Sequence, residues 1–501
     1  MLLLSRYSLC VIRSVFVSAT SLSKMSMTTS TPGKNAISYN FWRGHPNDDL
    51  LPTKEMQEIL QKMASPTNQD RLKDSLQYLS SDRGDPVLLK EISSFLLRRT
   101  LEDEVPQYEP GNWAITNDEW SVPEELDMFL THGVSHGLDM LCTTQTTPGD
   151  IVLIERPSYF LAAGIFRSHG LKIQSLPMKL DPTGERHAVG GALMVDVEAL
   201  ERGLHDGSIG VPRMIYIIPT NQNPTGNTMN IANRWKLCQL AREFGILVAA
   251  DEVYHLLDWR DDSRPARFSV LDHMLSKQYE SSKTNSNFSV NKKGQFGCSV
   301  SVSSFTKIFT PGVRCGWIEG PKEIIDSIVD LGYIQSQGGC APFIGNLLRT
   351  ALESGLQDEI LDKLNESYKD RCKILCSILE SEPGIRICYR PMGGYFMWVE
   401  FLDLTTAEKK IDNNVIEDSP VSTFAKFCLD HGLKFMPGVK CDSVLDCFEQ
   451  SQQPKELCET SARLCFADMD AGDVADGAKL LVHLYRKYKS ETFGRTINKK
   501  I

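Results

Sequence analysis

The sequence predicts an α/β fold built around a largely parallel sheet. Two apolar runs, residues 213–219 and 245–250, read as short buried strands, and a helical pattern over residues 230–244 lies between them. Strand, helix and strand at this spacing indicate a right-handed parallel crossover. A third apolar run begins at Ser299. Ligands of open parallel sheets bind beyond the carboxyl ends of the strands, so the residues after each run are the first candidates for a functional site.

Polar residues follow each of these predicted strands. Asn223 lies in the turn after the first strand, and Asp251 and Tyr254 follow the second. Lys307 ends the third strand. A lysine held out of water tends to lose its proton and become a nucleophile, because an unpaired buried ammonium is costly. A single lysine is more often a solvated surface charge, so the prediction of a reactive amine depends on the three residues that accompany it.

These pieces resemble, in order and in sequence, the class I/II aminotransferases, which are fold-type-I enzymes that use pyridoxal 5′-phosphate. The resemblance rests on Asn-Pro-Thr-Gly at 223–226, Asp-Glu-Val-Tyr at 251–254 and Ser-Phe-Thr-Lys at 304–307. Each motif is weak alone, whereas chance agreement of all three in this order is very small. The resemblance spans most of the chain. It implies a fold-type-I transferase with a large domain, whose mostly parallel sheet is flanked by helices, and a smaller α+β domain.

The resemblance also implies a role for each candidate. Lys307 is expected to carry the cofactor as a Schiff base and to act as general base when an amino acid displaces it. Asp251 is expected to keep a proton on the cofactor's ring nitrogen, which deepens the electron sink. Asn223 and Tyr254 are expected to hydrogen-bond the ring's phenolic oxygen. Tyr159 is expected to stack on the ring and to keep water from one face.

The cofactor's phosphate needs donors, and backbone N–H groups at a helix N-terminus are a usual source. Residues 129–139 read as a strand end, a glycine turn and the start of a helix. By resemblance, the phosphate ligands are Gly133, Val134, Ser135, Ser304, Thr306, Arg314 and, reaching in from a neighbouring subunit, Tyr78. The family often has a polar side chain where Val134 stands, so only the backbone contributes there. The expected use of Tyr78 implies a homodimer with a shared active site.

The α-carboxylate of a substrate needs a receptor, and arginine offers it a planar bidentate fork. Arg463 lies in a strand-like run that resembles the family's receptor strand. Gly44 lies in a segment that resembles the N-terminal part closing over the substrate, where a missing Cβ allows close approach. Together with Asn223, these residues are the predicted substrate contacts. Arg43 and His45 are candidates for a side-chain carboxylate, although a surface role suits them better.

The roles that the resemblance gives these residues imply a transaminase. It would move an α-amino group from an amino acid to a 2-oxo acid, with 2-oxoglutarate as the expected acceptor. Within the family, the sequence looks most like the broad-specificity branch that includes 2-aminoadipate, kynurenine and aromatic amino acids. The same scaffold also carries β-lyases and other elimination enzymes, and the presence of Arg463 favours transamination over them. A non-catalytic protein that only binds the cofactor would lack at least one of Lys307, Asp251 and Arg463, and all three are present.

At 501 residues and 41% hydrophobic, the chain can bury the core of two or three lobes. The expected division is a targeting or disordered segment at 1–40, an N-terminal segment packing with the small domain at 41–75, a large cofactor-binding domain at 76–344 and a small C-terminal domain at 345–501. Two polar stretches interrupt this plan. We predict a mobile surface loop at 276–296 and an insertion at 442–459.

Composition limits the partners. A net charge of −10 argues against nucleic acid. The segment before residue 41 is also too short for a DNA-binding module. The 14 cysteines form no Cys-x-x-Cys pair and show no ligand spacing with the 10 histidines, so neither a disulfide framework nor a zinc site is expected. No run approaches the roughly 20 apolar residues of a membrane span.

The N-terminal segment has the composition of a mitochondrial presequence. The first acidic residue is Asp48, and many serines and threonines precede it together with the basic residues Arg6, Arg13, Lys24 and Lys34. The arginines interrupt any apolar core of a secretory signal. We therefore expect the mitochondrial matrix, with the cytoplasm as the alternative if translation starts at Met25 or Met27.

Overall fold

A computed structural model describes residues 37–100, 103–105, 126–181, 192–282, 297–404, 419–442, 444 and 452–497. All predicted site residues lie inside these ranges. The predicted targeting segment lies outside them except for its last four residues, and so do residues 283–296, 443 and 445–451 of the two polar stretches. Among the described helices, none combines the length and the apolar character that crossing a bilayer requires.

The strands are β1 (Tyr39–Asn40), β2 (Asp127–Thr131), β3 (Ile151–Ile154), β4 (Lys172–Ser175), β5 (Met178–Asp181), β6 (Ala192–Val195), β7 (Met214–Ile217), β8 (Leu247–Asp251), β9 (Ser299–Ser304), β10 (Gly316–Gly320), β11 (Ile385–Ile387), β12 (Phe396–Phe401), β13 (Leu433–Lys434), β14 (Met436–Pro437) and β15 (Ser461–Cys465).

The α-helices are α1 (Thr53–Met63), α2 (Gln69–Asp74), α3 (Pro86–Thr100), α4 (Val134–Gln145), α5 (Phe160–Ser168), α6 (Val197–Asp206), α7 (Ile231–Phe244), α8 (Phe268–Ser282), α9 (Phe305–Ile308), α10 (Lys322–Val329), α11 (Gly332–Gln335), α12 (Pro342–Glu353), α13 (Leu356–Leu379), α14 (Pro420–Asp430), α15 (Gln452–Thr460) and α16 (Ala471–Ile497). Short 3₁₀ turns lie at Asp48–Leu50, Pro66–Asn68, Pro311–Val313 and Gly438–Lys440.

A seven-stranded sheet in the order β2-β10-β9-β8-β7-β3-β4 forms the centre of the fold. Every pairing from β4 to β9 is parallel, and only β10 runs against its two neighbours. The predicted crossover from β7 through α7 to β8 is confirmed. Along β7, Tyr216 packs into one hydrophobic core and Ile215 into another, so both faces are covered. This explains why β7 and β8 are continuous apolar runs.

Local signals set the ends of α7. The side chain of Asn230 accepts a hydrogen bond from the backbone N–H of Asn233 and caps the start of the helix. Gly245 ends it in the left-handed region, at φ 69°. The chain then enters β8, which delivers Asp251 to the edge of the sheet.

A second, antiparallel sheet has the order β11-β12-β15-β14. β12 is an interior strand, and it pairs with β15 so that Trp398 lies opposite Arg463. The run around Arg463 is a strand as predicted, and it is buried throughout. The short strand β1 pairs in parallel with β13, which fastens the N-terminal segment beside the second sheet.

The structure corrects two expectations. β9 ends at Ser304, and Lys307 lies beyond it in the one-turn helix α9, because Ser304 Oγ accepts the N–H of Thr306 and turns the chain. The polar stretch predicted as a loop from residue 276 begins inside α8, which runs to Ser282. A polar composition is also typical of the solvent face of a helix. The domain boundaries near residues 76 and 344 stay predictions.

Candidate active site

A cavity of about 400 Å³ opens at the carboxyl ends of the central strands. Predicted site residues from distant parts of the chain line it together: Gly44, Val134, Ser135, Tyr159, Asn223, Asp251, Tyr254, Ser304, Thr306, Lys307, Arg314 and Arg463. Gly133 lies directly behind this lining, where a Cβ would stand 3.1 Å from Arg314 Nη2. Of the predicted residues, only Tyr78 lies away from the cavity. It is 83% exposed, and its role in a neighbouring subunit stays a prediction.

The amine of Lys307 projects into this cavity. Its Nζ donates to the carbonyl oxygen of Gly44 at 3.1 Å and lies 4.7 Å from the ring centre of Tyr395. Burial lowers the pKa of Lys307 to about 8. The amine is therefore able to change its protonation state near neutral pH, as a group that moves protons must.

Asp251 lies at the floor of the cavity, at the end of β8, and is 4% exposed. Its Oδ2 accepts a hydrogen bond from the hydroxyl of Tyr216 at 2.9 Å. Burial raises the pKa of Asp251 to about 6, and the hydrogen bond from Tyr216 opposes that rise. A buried carboxylate of this kind can hold a proton on a heteroaromatic nitrogen beside it.

Three further residues surround the space above Asp251. Asn223 accepts a hydrogen bond at its Oδ1 from Arg463 at 3.1 Å, which fixes the orientation of the amide. Tyr254 is 3% exposed, and its ring centre lies 5.5 Å from that of Tyr395. Tyr159 precedes α5, and both burial and the charge of Asp251 raise the pKa of its phenol. The predicted ring-binding residues therefore share one space.

The start of α4 forms an anion site. Gly133 precedes the helix at φ 91°, a conformation that favours glycine. Arg314 donates to the hydroxyl of Thr306 at 3.2 Å and to the carbonyl of His132 at 3.1 Å. Among the described residues, no carboxylate pairs with Arg314. A guanidinium without a counter-ion, beside hydroxyl groups and a helix N-terminus, fits a phosphate.

A second unpaired guanidinium faces the cavity from the opposite sheet. Arg463 is 3% exposed and donates to the carbonyl of Trp42 at 2.6 Å. Its Cζ lies 4.1 Å from the ring centre of Phe396. Within the described residues, Arg463 has no carboxylate partner and its buried Nε has no acceptor. A buried cation left this way fits the carboxylate of a small ligand.

Gly44 is needed for packing as well as for close approach. A Cβ at this position would come within 2.8 Å of the Phe396 ring. Arg43 and His45 flank Gly44. Both line the cavity, although the sequence favoured a surface role for them. Arg43 is nevertheless half-exposed, and its nearest carboxylate is that of Asp468 at 4.0 Å.

Sequence reasoning missed several residues of the site. Tyr216 and Tyr395 touch predicted catalytic groups, and Arg156 pairs with Asp442 just behind Tyr159. For Tyr216 a signal existed, because alternation along a strand places it on the same face as the residue after β7. No sequence signal could have joined Arg156 to Asp442, which are 286 residues apart.

The chain belongs to the class I and II aminotransferases, whose family model matches residues 119–479. It is 27% identical over 375 residues to an aromatic amino acid aminotransferase of Schizosaccharomyces pombe, over 72% of this chain and 70% of that protein. It is 26% identical over 294 residues to a 2-aminoadipate transaminase of Thermus thermophilus, over 58% of this chain and 64% of that protein.

Solved structures confirm the fold class. The kynurenine aminotransferase of Pyrococcus horikoshii superposes with a TM-score of 0.66 at 21% identity, over 95% of this chain and 94% of that one. The protein is thus a pyridoxal-phosphate-dependent aminotransferase of fold type I. The two unpaired guanidinium groups, the buried carboxylate and the amine fit that cofactor and an amino acid together.

Proposed function

We propose that this protein is an aminotransferase of broad specificity that transfers the α-amino group of aromatic amino acids, kynurenine or 2-aminoadipate to a 2-oxo acid, with 2-oxoglutarate as acceptor. The observation that carries the proposal is Arg463, a buried guanidinium that has no counter-ion among the residues the structure describes, in the same cavity as the amine of Lys307. An α-carboxylate paired with Arg463 holds its α-carbon within the cavity that Lys307 also enters.

The lining of the cavity supports broad specificity. Trp42, Phe160 and Met436 offer apolar surface for large side chains. Arg43 and His45 lie on the same segment as Trp42, and they offer an acidic side chain a positive charge and a hydrogen-bond donor, respectively. The relatives named above include proteins that act on both kinds of side chain.

Bound pyridoxal phosphate supplies the electron sink that makes the α-proton of the substrate acidic. Arg314, Thr306 and the first turn of α4 would hold the phosphate. Asp251 would keep a proton on the ring nitrogen. Lys307 Nζ would take the α-proton from the substrate and would later release it within the cavity, and its lowered pKa suits it to both roles.

A half-reaction screen tests this proposal. The purified holoenzyme is mixed with each common amino acid, with 2-aminoadipate and with kynurenine, while the cofactor's absorption band is followed and mass spectrometry identifies the product. We expect donors of the aromatic and aminoadipate type to change the band and to yield their 2-oxo acids. Release of pyruvate and ammonia would instead identify a β-lyase, and an unchanged band with every donor would contradict the proposed function.

We also propose a homodimer in which Tyr78 completes the neighbouring site. Tyr78 is 83% exposed and Leu76 is 70% exposed, which is unusual for large apolar side chains on one short segment. Mixing refolded Lys307→Ala and Tyr78→Ala variants tests the sharing. Each mixed dimer then has one site with both changes and one with neither, so activity should recover to about a quarter of wild type. No recovery would contradict the shared site.

The proposed location is the mitochondrial matrix, with the cytoplasm as the alternative. The proposal is supported by the basic, acid-free composition of residues 1–40. Fluorescent fusions of the full chain and of a form starting at Met25 should localise differently, with only the full chain entering mitochondria. Identical cytoplasmic signals from both would overturn the matrix assignment.

A further inference from the structure

The free amine of Lys307 rests against an aromatic ring. Its Nζ lies 4.7 Å from the ring centre of Tyr395 and 5.9 Å from that of Tyr254. Its one hydrogen bond within the described residues goes to the carbonyl of Gly44 at 3.1 Å, and no described carboxylate is within ion-pair distance. An ammonium group over an aromatic face is attracted by the ring's negative potential, and the attraction grows where water is excluded. The ring of Tyr395 therefore stabilises the ammonium form of Lys307, as a counter-ion otherwise would.

Tyr395 is held firmly enough to do this. Its side chain is fully buried, and its ring centre lies 5.1 Å from that of Tyr368 in an edge-on arrangement. The backbone carbonyl of Tyr395 accepts the N–H of Phe466 at 3.1 Å. The hydroxyl donates to the backbone carbonyl of Lys307 at 3.4 Å. One side chain thus contacts Lys307 twice, at its main chain and at its amine.

We propose that Tyr395 is a positioning residue for Lys307, whose ring holds the amine in place while it is not bonded to the cofactor. The inference rests on the proposed function, because transamination requires the lysine amine to be free during the proton transfers. A lysine side chain has four rotatable bonds and a compact charge, so it samples many rotamers unless a contact holds the ammonium group. In this fold the ring arrives from the segment before β12, and the lysine comes from α9.

Other groups near the Lys307 amine also shift its pKa, some upwards and some downwards. Burial, Arg463 and Arg314 lower the pKa of Lys307, whereas Asp251 and the thiol of Cys465 raise it. His45 faces it from the N-terminal segment. The aromatic ring favours the charged form, so its removal should lower the pKa of Lys307 further.

The test compares three variants. Tyr395→Leu removes the ring, Tyr395→Phe keeps the ring without the hydroxyl, and Phe401→Leu removes an equally buried ring of β12 that lies outside the cavity. We expect Tyr395→Leu to lower kcat roughly tenfold with little change in KM for the amino acid. Tyr395→Phe and Phe401→Leu should stay within about threefold of wild type. If Tyr395→Leu fails to fold in thermal unfolding, Tyr395→Met, which fills the space flexibly, takes its place.

A second readout does not depend on catalysis. The cofactor-free full-length protein is labelled with a limiting acetylating reagent across a range of pH, and mass spectrometry measures the fraction modified at Lys307. The midpoint should move to lower pH in Tyr395→Leu and return in Tyr395→Phe. Equal defects in Phe401→Leu and Tyr395→Leu, or an unchanged midpoint in Tyr395→Leu, would overturn the inference. If wild type shows no transamination, the proposed function fails, while the labelling still decides the role of Tyr395.

Discussion

The hydroxyl of Tyr216 donates a 2.9 Å hydrogen bond to Asp251 Oδ2 in the interior of the central sheet. The two residues lie on neighbouring parallel strands, where Tyr216 is level with Ala249 and Asp251 stands two residues further along. A long aromatic side chain can span such a diagonal on one face of a sheet. Tyr216 is fully buried, so the phenol is a fixed donor that water does not replace.

The variant Tyr216→Phe should raise the pKa of Asp251 above its present value of about 6, because the lost donor stabilised the charged carboxylate. Activity requires that carboxylate to be ionised beside the ring nitrogen. The acid side of the pH profile of kcat should therefore move to higher pH, and kcat at neutral pH should fall roughly tenfold. The measurement is kcat against pH with one good amino donor.

The matched control for Tyr216→Phe is Tyr485→Phe. The hydroxyl of Tyr485 is also within hydrogen-bond distance of a carboxylate, that of Asp403 at 3.0 Å, with the carbonyl of Gly384 as an alternative acceptor at 2.9 Å, but it lies outside the active-site cavity. This variant should lose stability without any movement of the pH profile. An unmoved acid side in Tyr216→Phe, or the same movement in both variants, would contradict the role given to Tyr216.

The variant Arg463→Lys should raise KM for amino acids by one to two orders of magnitude, about 1.5–3 kcal/mol, because a point charge replaces a fork that grips both carboxylate oxygens. The penalty should disappear for an amine substrate that has no carboxylate. Arg386→Lys, in a strand of the same sheet and paired with Glu400, provides the control. A kcat defect with unchanged KM would show that Arg463 does not bind the carboxylate.

The variant Arg314→Leu should weaken cofactor binding, since the guanidinium is the only cation that lines the anion site at α4 within the described cavity. Loss of a charge-assisted contact with phosphate should raise the dissociation constant of pyridoxal phosphate about tenfold to a hundredfold. Absorbance titration of the cofactor-free protein measures it. Pyridoxal, which has no phosphate, should bind wild type and variant equally. A similar loss for pyridoxal would mean that the variant damages the fold.

Many of the residues that sequence alone identified stand next to a turn or strand end, where the proposed chemistry demands particular residue types. Asp251 and Lys307 were found this way. The residues that hold them, Tyr216 and Tyr395, were missed because a tyrosine within an apolar run reads as ordinary core. Strand alternation indicates the face on which Tyr216 lies, but whether a core tyrosine aims its hydroxyl or its ring at a catalytic group depends on side-chain direction and strand register, and these appear only in the folded chain.

Behind Tyr159, Arg156 and Asp442 form a two-pronged ion pair, with Nε–Oδ1 at 2.8 Å and Nη2–Oδ2 at 2.7 Å. The side chain of Arg156 is 3% exposed. A backbone hydrogen bond from Ser158 to the carbonyl of Cys441 at 3.1 Å runs alongside it. Together these contacts tie the turn that presents Tyr159 to the segment after β14. β14 itself contributes Met436 to the cavity.

The variant Asp442→Ala should lower the free energy of unfolding by about 1.5–3 kcal/mol, because a largely buried guanidinium loses two charge-assisted hydrogen bonds. It should also loosen the turn that carries Tyr159 and weaken cofactor binding, since a stacking ring stabilises its partner only when it is held in place. Chemical denaturation and absorbance titration measure the two effects. Asp476→Ala, which breaks an exposed pair with Lys479, should cost only about 0–1 kcal/mol and leave the cofactor bound as before. If Asp442→Ala lowers stability while the cofactor binds as tightly as in wild type, the ion pair supports the fold but does not position Tyr159.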